Sequence, residues 1–116
     1  MKMPTTAEIK SVINNMAAAV RKNAMAHGWC KDGETRNDGE MTALIHSEAS
    51  ELLEGFRSGN PDSKLPGYSN CEEECADIVI RVMDLTAERG WDLGGAIIAK
   101  MAYNEARPYK HGGKAF

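Results

Sequence analysis

The sequence predicts an all-α protein. Apolar residues recur at helical spacing along most of the chain. The periodic stretches are closed off by glycine, proline or capping residues, and no alternating β-branched run of strand length occurs. The expected architecture is a bundle of four to five helices in a single domain over residues 1–116.

Thr5 followed by Glu8 fits a capping box that opens the first helix. Ile9, Val12, Ile13, Met16 and Val20 then carry the period to about Ala26, and Gly28 follows. Residues 28–39 are rich in glycine and polar groups and predict a loop. A second helix spans about Glu40 to Phe56. Residues 57–70 hold two prolines and two glycines and form the clearest loop in the chain. Ser69 or Asn70 caps a third helix over 71–89, with Glu72, Glu73 and Glu74 near its positive end. Gly90 ends it. Asp92 caps a fourth helix over 92–106, and Pro108 stops it. The tail, 107–116, is basic and predicted to be flexible.

The charge of -3 provides no general basic footprint for duplex nucleic acid. The opening MKMPTTAE lacks an apolar stretch of signal-peptide length, and no run reaches membrane-spanning length. A cytoplasmic protein without membrane contact is the expectation. Cys30, Cys71 and Cys75 form no disulfide framework. Cys71 and Cys75 share a helical face, but no second pair completes a zinc site, so ordinary packing is expected. A chain this short buries a limited share of its surface, and an all-helical one is expected to share a core with a second copy.

The pattern breaks at one place. On the second helix, Met41, Leu44, Ile45, Ala49, Leu52 and Phe56 define an apolar arc. Glu48 falls inside that arc and Glu51 on its edge, about 4.5 Å further along the axis. A carboxylate on a core-facing stripe is costly unless a cation, a proton or a metal ion neutralises it. A divalent cation would relieve both the burial and the mutual repulsion of the pair. The alternatives are a salt bridge between subunits or a helix rotated to expose both groups.

The third helix carries a second pair, Glu74 and Asp77, at the same spacing. They share a polar stripe with Arg81, Asp84 and Glu88, while apolar residues cover the remainder. Such a stripe alone is usually a solvated face. On a helix apolar over most of its circumference it can instead face a cleft, where four carboxylates converge. Oxygen ligands of that kind suit Mg2+ or Mn2+. On the fourth helix Lys100, Asn104 and Arg107 form one stripe that continues from Leu93 and Ile97. Tyr109, His111 and Lys114 follow in the tail. Lysine and arginine there suit phosphate oxygens, or simply the negative end of the helix dipole.

The segments HSEASELLEGF, EEECADIVIRVMDL and KMAYNEARPYKHGGK together resemble the MazG-like nucleotide pyrophosphohydrolases of the all-α NTP pyrophosphatase superfamily. The resemblance covers residues 40–114. It implies Mg2+ held by Glu48, Glu51, Glu74 and Asp77, a triphosphate held by Lys100, Asn104 and Arg107 with help from Tyr109 and Lys114, and a homodimer or dimer of dimers with sites near its interfaces. The implied reaction is hydrolysis of a (deoxy)nucleoside triphosphate to monophosphate and pyrophosphate by water attacking the α-phosphorus, a form of nucleotide-pool house-cleaning. Glu51 is then the candidate general base and Glu48 a metal ligand. Trp29, in the loop before the second helix, either stacks on the nucleobase or anchors the loop. His46 and His27 carry no assigned role, Trp91 is assigned to packing, and loop 57–70 is either a lid or a surface excursion. The competing expectations are a non-catalytic metal or nucleotide-binding module and a structural helical dimer in which Glu48 pairs with a cation.

Overall fold

The computed structural model describes residues 2–31, 33–59 and 64–116. The helices are α1 (Thr6–Ala26), α2 (Asp38–Ser58), α3 (Asn70–Glu88), α4 (Leu93–Glu105) and the one-turn α5 (Lys110–Gly113). No strand occurs among the described residues. The expected boundaries hold to within about two residues, with α2 opening earlier because Asn37 accepts from the Glu40 amide and caps it. Both expected capping boxes form, Thr5 with Glu8 and Ser69 with Glu72. The tail expected to be flexible contains α5, whose first residue, Lys110, has φ of 52°. Within loop 57–70, residues 60–63 lie outside the described residues.

α3 lies at the centre, with α2 packed along it on one side and α1 on another. α4 packs on α1. A Cβ on Gly94 would lie 2.5 Å from the Lys10 carbonyl oxygen, so glycine is what permits α4 to cross α1 this closely. Polar contacts pin the crossing. Asn14 accepts from the Gly94 amide at 2.8 Å and donates to Asp92 at 2.7 Å, while Lys10 pairs with Asp92 at 3.1 Å.

The expected apolar arc of α2 is displaced. The buried side of the helix centres on Glu48, with Met41, Leu44, Leu52 and Gly55 flanking it in buried or half-buried positions. Phe56 comes eight residues after Glu48, about 80° around the helix, and stays 73% exposed. The face turned to α3 is therefore the one that carries the carboxylate.

Apolar burial is slight for a chain of this length. Among the described residues only Ala17, Cys30, Met41 and Met83 are buried apolar side chains, and no large side chain is fully enclosed. Val12, Met16, Leu53, Phe56 and Met101 are exposed. The radius of gyration is 16.7 Å, against about 13 Å for a compact domain of this length. No helix among the described residues is long and apolar enough to cross a membrane.

Candidate metal centre and adjoining cavity

The α2–α3 contact brings together groups that are costly to bury. Glu48 of α2 is 9% exposed and Glu74 of α3 is 5% exposed. Glu48, Glu74 and Asp77 each offer a carboxylate oxygen, and these oxygens all lie within 4.8 Å of one another. Their placement follows from helix geometry. Glu74 and Asp77 are separated by three residues, so they share the α3 face that meets Glu48. Glu51 lies on the exposed edge of the same group, close enough that its charge acts on Glu74.

Burial and these like charges push the Glu74 carboxyl up to about 7, with burial the largest cause, followed by the charge of Glu51. Asp77 is also raised, by burial first and then by Glu48 and Glu73. The Glu74 Oε2 atom is buried without a hydrogen-bond partner. An acidic oxygen in that state is expensive unless a proton or a cation meets it. This buried triad of hard oxygen donors has the composition and spacing to hold a metal ion.

One cation is already present. Arg81, one turn beyond Asp77, places Nη2 3.2 Å from Glu48 Oε1. The sequence marks Arg81 as a member of the polar stripe but not as the partner of Glu48. That pairing depends on the rotation of α2, which spacing alone leaves open.

A cavity of about 520 Å³ opens beside Glu48 and Asp77 between α1, α2 and α3. Glu48, Asp77 and Arg81 border it at the acidic end. Val20, Ala24, Leu44 and Ile80 supply apolar wall. Trp29, 71% exposed, also borders it, which puts this aromatic against the space beside the triad. Asn23, Glu40, Arg36 and Asp84 are the further polar residues that line it. Arg36 Nη1 stands 2.9 Å from Asp84 Oδ2, yet Arg36 Nη2 and Asp84 Oδ1 are buried without hydrogen-bond partners.

Arg36 is held from behind. Glu88, whose side chain is 1% exposed, accepts from Arg36 Nε at 2.6 Å and from the Arg36 amide at 3.1 Å. Arg21 of α1 and Arg89 donate to the same carboxylate at 3.4 and 3.3 Å. Arg89 also pairs with Asp38 and donates to the Arg36 carbonyl at 2.7 Å. Burial alone would raise Glu88, but the hydrogen bonds from Arg36 and Arg89 outweigh it and hold the group below its ordinary value. The Arg36 guanidinium is correspondingly raised, chiefly by its bond to Asp84. Sequence reading missed this clasp because Arg36 sits in an irregular loop, where no periodicity marks a partner.

The remaining predicted residues lie elsewhere in the chain. Lys100 and Asn104 are exposed on α4, and no α4 residue is among those lining the cavity. Lys100 Nζ sits 4.6 Å from the Tyr103 ring centroid, and Arg107 flanks the same ring at 5.7 Å. Tyr109 and Lys114 are exposed. Within one chain the cationic stripe therefore belongs to the α1–α4 pair and the carboxylates to the α2–α3 pair. His46 is exposed, and His27 Nδ1 is 2.8 Å from the Asn23 carbonyl oxygen. All three cysteines are free, with Cys75 exposed and Cys71 half-buried.

No family model, curated protein or solved structure matches this chain.

Proposed function

We propose that this chain is a MazG-like nucleoside triphosphate pyrophosphohydrolase that uses Mg2+, with Mn2+ as a substitute. The observation that carries this reading is the triad of buried Glu48 and Glu74 with half-buried Asp77, with an unpartnered oxygen on Glu74, two of whose members, Glu48 and Asp77, border a cavity large enough for a nucleotide. The three carboxylates would hold the metal with Glu51 at its open side. The bound ion would supply charge neutralisation at the phosphates and acidify a water. Glu51, the most exposed of the four, would accept the proton as water adds to the α-phosphorus and the bond to the bridging oxygen breaks. Pyrophosphate leaves with that oxygen.

The working form on this reading is a homo-oligomer. Exposed Val12, Met16, Leu53, Phe56 and Met101 and the open packing of the helices support it. In such an assembly Lys100, Asn104 and Arg107 would serve the carboxylates of another copy, since in their own chain the first two lie on α4, which packs on α1, and Arg107 lies just past its end. A cytoplasmic role in clearing nucleotides follows from the same reading.

A second reading has one observation in its favour. The Arg81–Glu48 pair neutralises part of the cluster within the chain, as a structural helical module would. The test is incubation with each common ribonucleoside and deoxynucleoside triphosphate, with and without Mg2+, and chromatography of the products. Magnesium-dependent monophosphate and pyrophosphate support hydrolysis. No turnover, together with no Mg2+ binding, supports the structural module.

A further inference from the structure

We propose that the free ends of the Arg36–Asp84 ion pair, Nη2 and Oδ1, read the hydrogen-bonding edge of a nucleobase. The inference rests on the nucleotide reading for the identity of the ligand, and on the geometry of the cavity for its placement.

A buried donor and a buried acceptor, each lacking a partner, lie on one ion pair whose residues line the cavity; neither atom is itself exposed there, so a base meets them as the pair turns toward it. Leaving them unpaired costs free energy, so a ligand that satisfies both is favoured over one that satisfies neither. The chemistry narrows what that ligand group is. A phosphate would accept from Arg36 but would be repelled by Asp84, and by Glu40 and Glu48 on the same wall. A hydrocarbon would leave both atoms unpaired. A nucleobase edge offers an acceptor beside a donor in one flat ring, and the ring's faces suit the apolar wall of Val20, Ala24, Leu44 and Ile80.

The spacing agrees. Asp77 and Asp84 are seven residues apart on α3, a rise of about 10.5 Å along the helix. That leaves room for a pentose between a phosphate at the metal carboxylates and a base at the ion pair. Glu88 grips Arg36 through Nε and the main-chain amide.

The test combines three measurements on the full chain. The first is kcat/KM with Mg2+ for the triphosphates of adenine, guanine, cytosine, uracil and thymine. The second is calorimetric binding of the corresponding nucleosides without metal. The third is titration with Mg2+ alone. The wild type should favour one base over the others by about tenfold or more. Asp84→Asn replaces a pure acceptor with an amide that also donates, and should collapse that preference while leaving Mg2+ affinity within about twofold. Ala24→Phe leaves the ion pair intact and fills the apolar wall. It should cut nucleoside affinity about tenfold or more even if the Asp84 variant does not fold.

Equal kcat/KM for all bases with hydrolysis intact would overturn base reading and leave the proposed reaction standing. So would an unchanged preference in a folded Asp84→Asn, or full nucleoside affinity in Ala24→Phe. Nucleoside binding that is lost in these variants, with no triphosphate hydrolysed, would uphold base reading and remove the hydrolase. Absence of both binding and turnover would remove both.

Discussion

Arg81 Nη2 lies 3.2 Å from Glu48 Oε1, so the carboxylate at the centre of the buried α2 face is neutralised from its own chain by the neighbouring helix. Its neighbours Glu74 and Asp77 have no comparable ion pair among the described residues, and both are held protonated more firmly than ordinary carboxyls. The cluster is therefore part salt bridge and part open site. Arg81→Ala should lower stability by about 1 kcal/mol, a value kept small because the arginine side chain is about a third exposed and screened by solvent. Saturating Mg2+ should recover most of that loss, as read from thermal unfolding with and without the ion. A loss that Mg2+ leaves untouched would show that the ion does not compensate for the guanidinium.

Glu48→Gln and Asp77→Asn separate the two roles. Asp77→Asn removes a candidate ligand that forms no ion pair with an arginine among the described residues. It should abolish magnesium-dependent turnover and weaken Mg2+ binding about tenfold or more while preserving the helical circular dichroism signal. Glu48→Gln strands Arg81 as well, so it should lower both stability and metal affinity. If Glu48→Gln affects stability alone and Asp77→Asn retains full activity, the carboxylates are structural.

The pH dependence of the metal-free protein follows from the raised carboxyls. A carboxyl whose folded pKa lies above its unfolded value favours folding while protonated. That contribution is complete below the ordinary value and is lost as pH rises through the folded one. For Glu74 the window runs from 4.5 to about 7, with burial as the main cause. The Tm of the wild type should thus fall relative to that of Glu74→Gln as pH rises across this window. Mg2+ should flatten the difference, because the ion takes the place of the proton. The same linkage predicts that apparent Mg2+ affinity increases with pH and levels off above about 7. A parallel pair of Tm curves would show that Glu74 titrates normally.

Periodicity and capping residues suffice to read the helices, because those signals are local: Thr5 with Glu8 and Ser69 with Glu72 close the boxes their spacing predicts. The convergence of Glu48 with Glu74 and Asp77 was legible for a related reason. A carboxylate on a core-facing stripe and a polar stripe on a mostly apolar helix are both costly alone, and each lowers the cost of the other. Rotation was not legible to better than about one residue, which is why Phe56 was expected inside and is found outside. The Arg36–Glu88–Arg21–Arg89 clasp was invisible, because its members are distant in sequence and Arg36 belongs to no periodic element. Lys100, Asn104 and Arg107 share a stripe in the sequence but stand apart from the carboxylates within one chain, and spacing along a helix does not carry that information.

The clasp makes its own prediction. Glu88 has a side chain 1% exposed and receives hydrogen bonds from Arg36, Arg21 and Arg89. Truncating it to alanine would leave the Arg36 guanidinium enclosed with only Asp84 as partner. Loss of one member of a buried ionic network costs about 3 to 5 kcal/mol. Chemical denaturation should show a destabilisation of that order for Glu88→Ala. Because the clasp ties the loop before α2 to the end of α3, Trp29 fluorescence should also change in the folded variant. A stability change under about 1 kcal/mol would mean that water replaces the carboxylate at no great cost.

The α1–α4 crossing provides the last test, and it bears on assembly as well as on folding. Gly94 faces main-chain atoms of Lys10, with a Cβ falling 2.5 Å from the carbonyl oxygen and 2.9 Å from Cα. Backbone cannot rotate away as a side chain can, so Gly94→Ala forces the helices apart and should cost about 1 to 3 kcal/mol despite the better helix propensity of alanine. Gly95 differs, since the atoms nearest its Cβ would be those of the Asp92 side chain. Gly95→Ala should still cost less than Gly94→Ala, even though it disturbs the cap. Because α4 carries Lys100 and Asn104 and leads into Arg107, Gly94→Ala should also raise KM for a triphosphate while leaving Mg2+ affinity at the α2–α3 triad unchanged. A rise in KM with equal loss of Mg2+ binding would instead mean that the two helix pairs unfold together, and that the stripe on α4 has no separate part in holding phosphate.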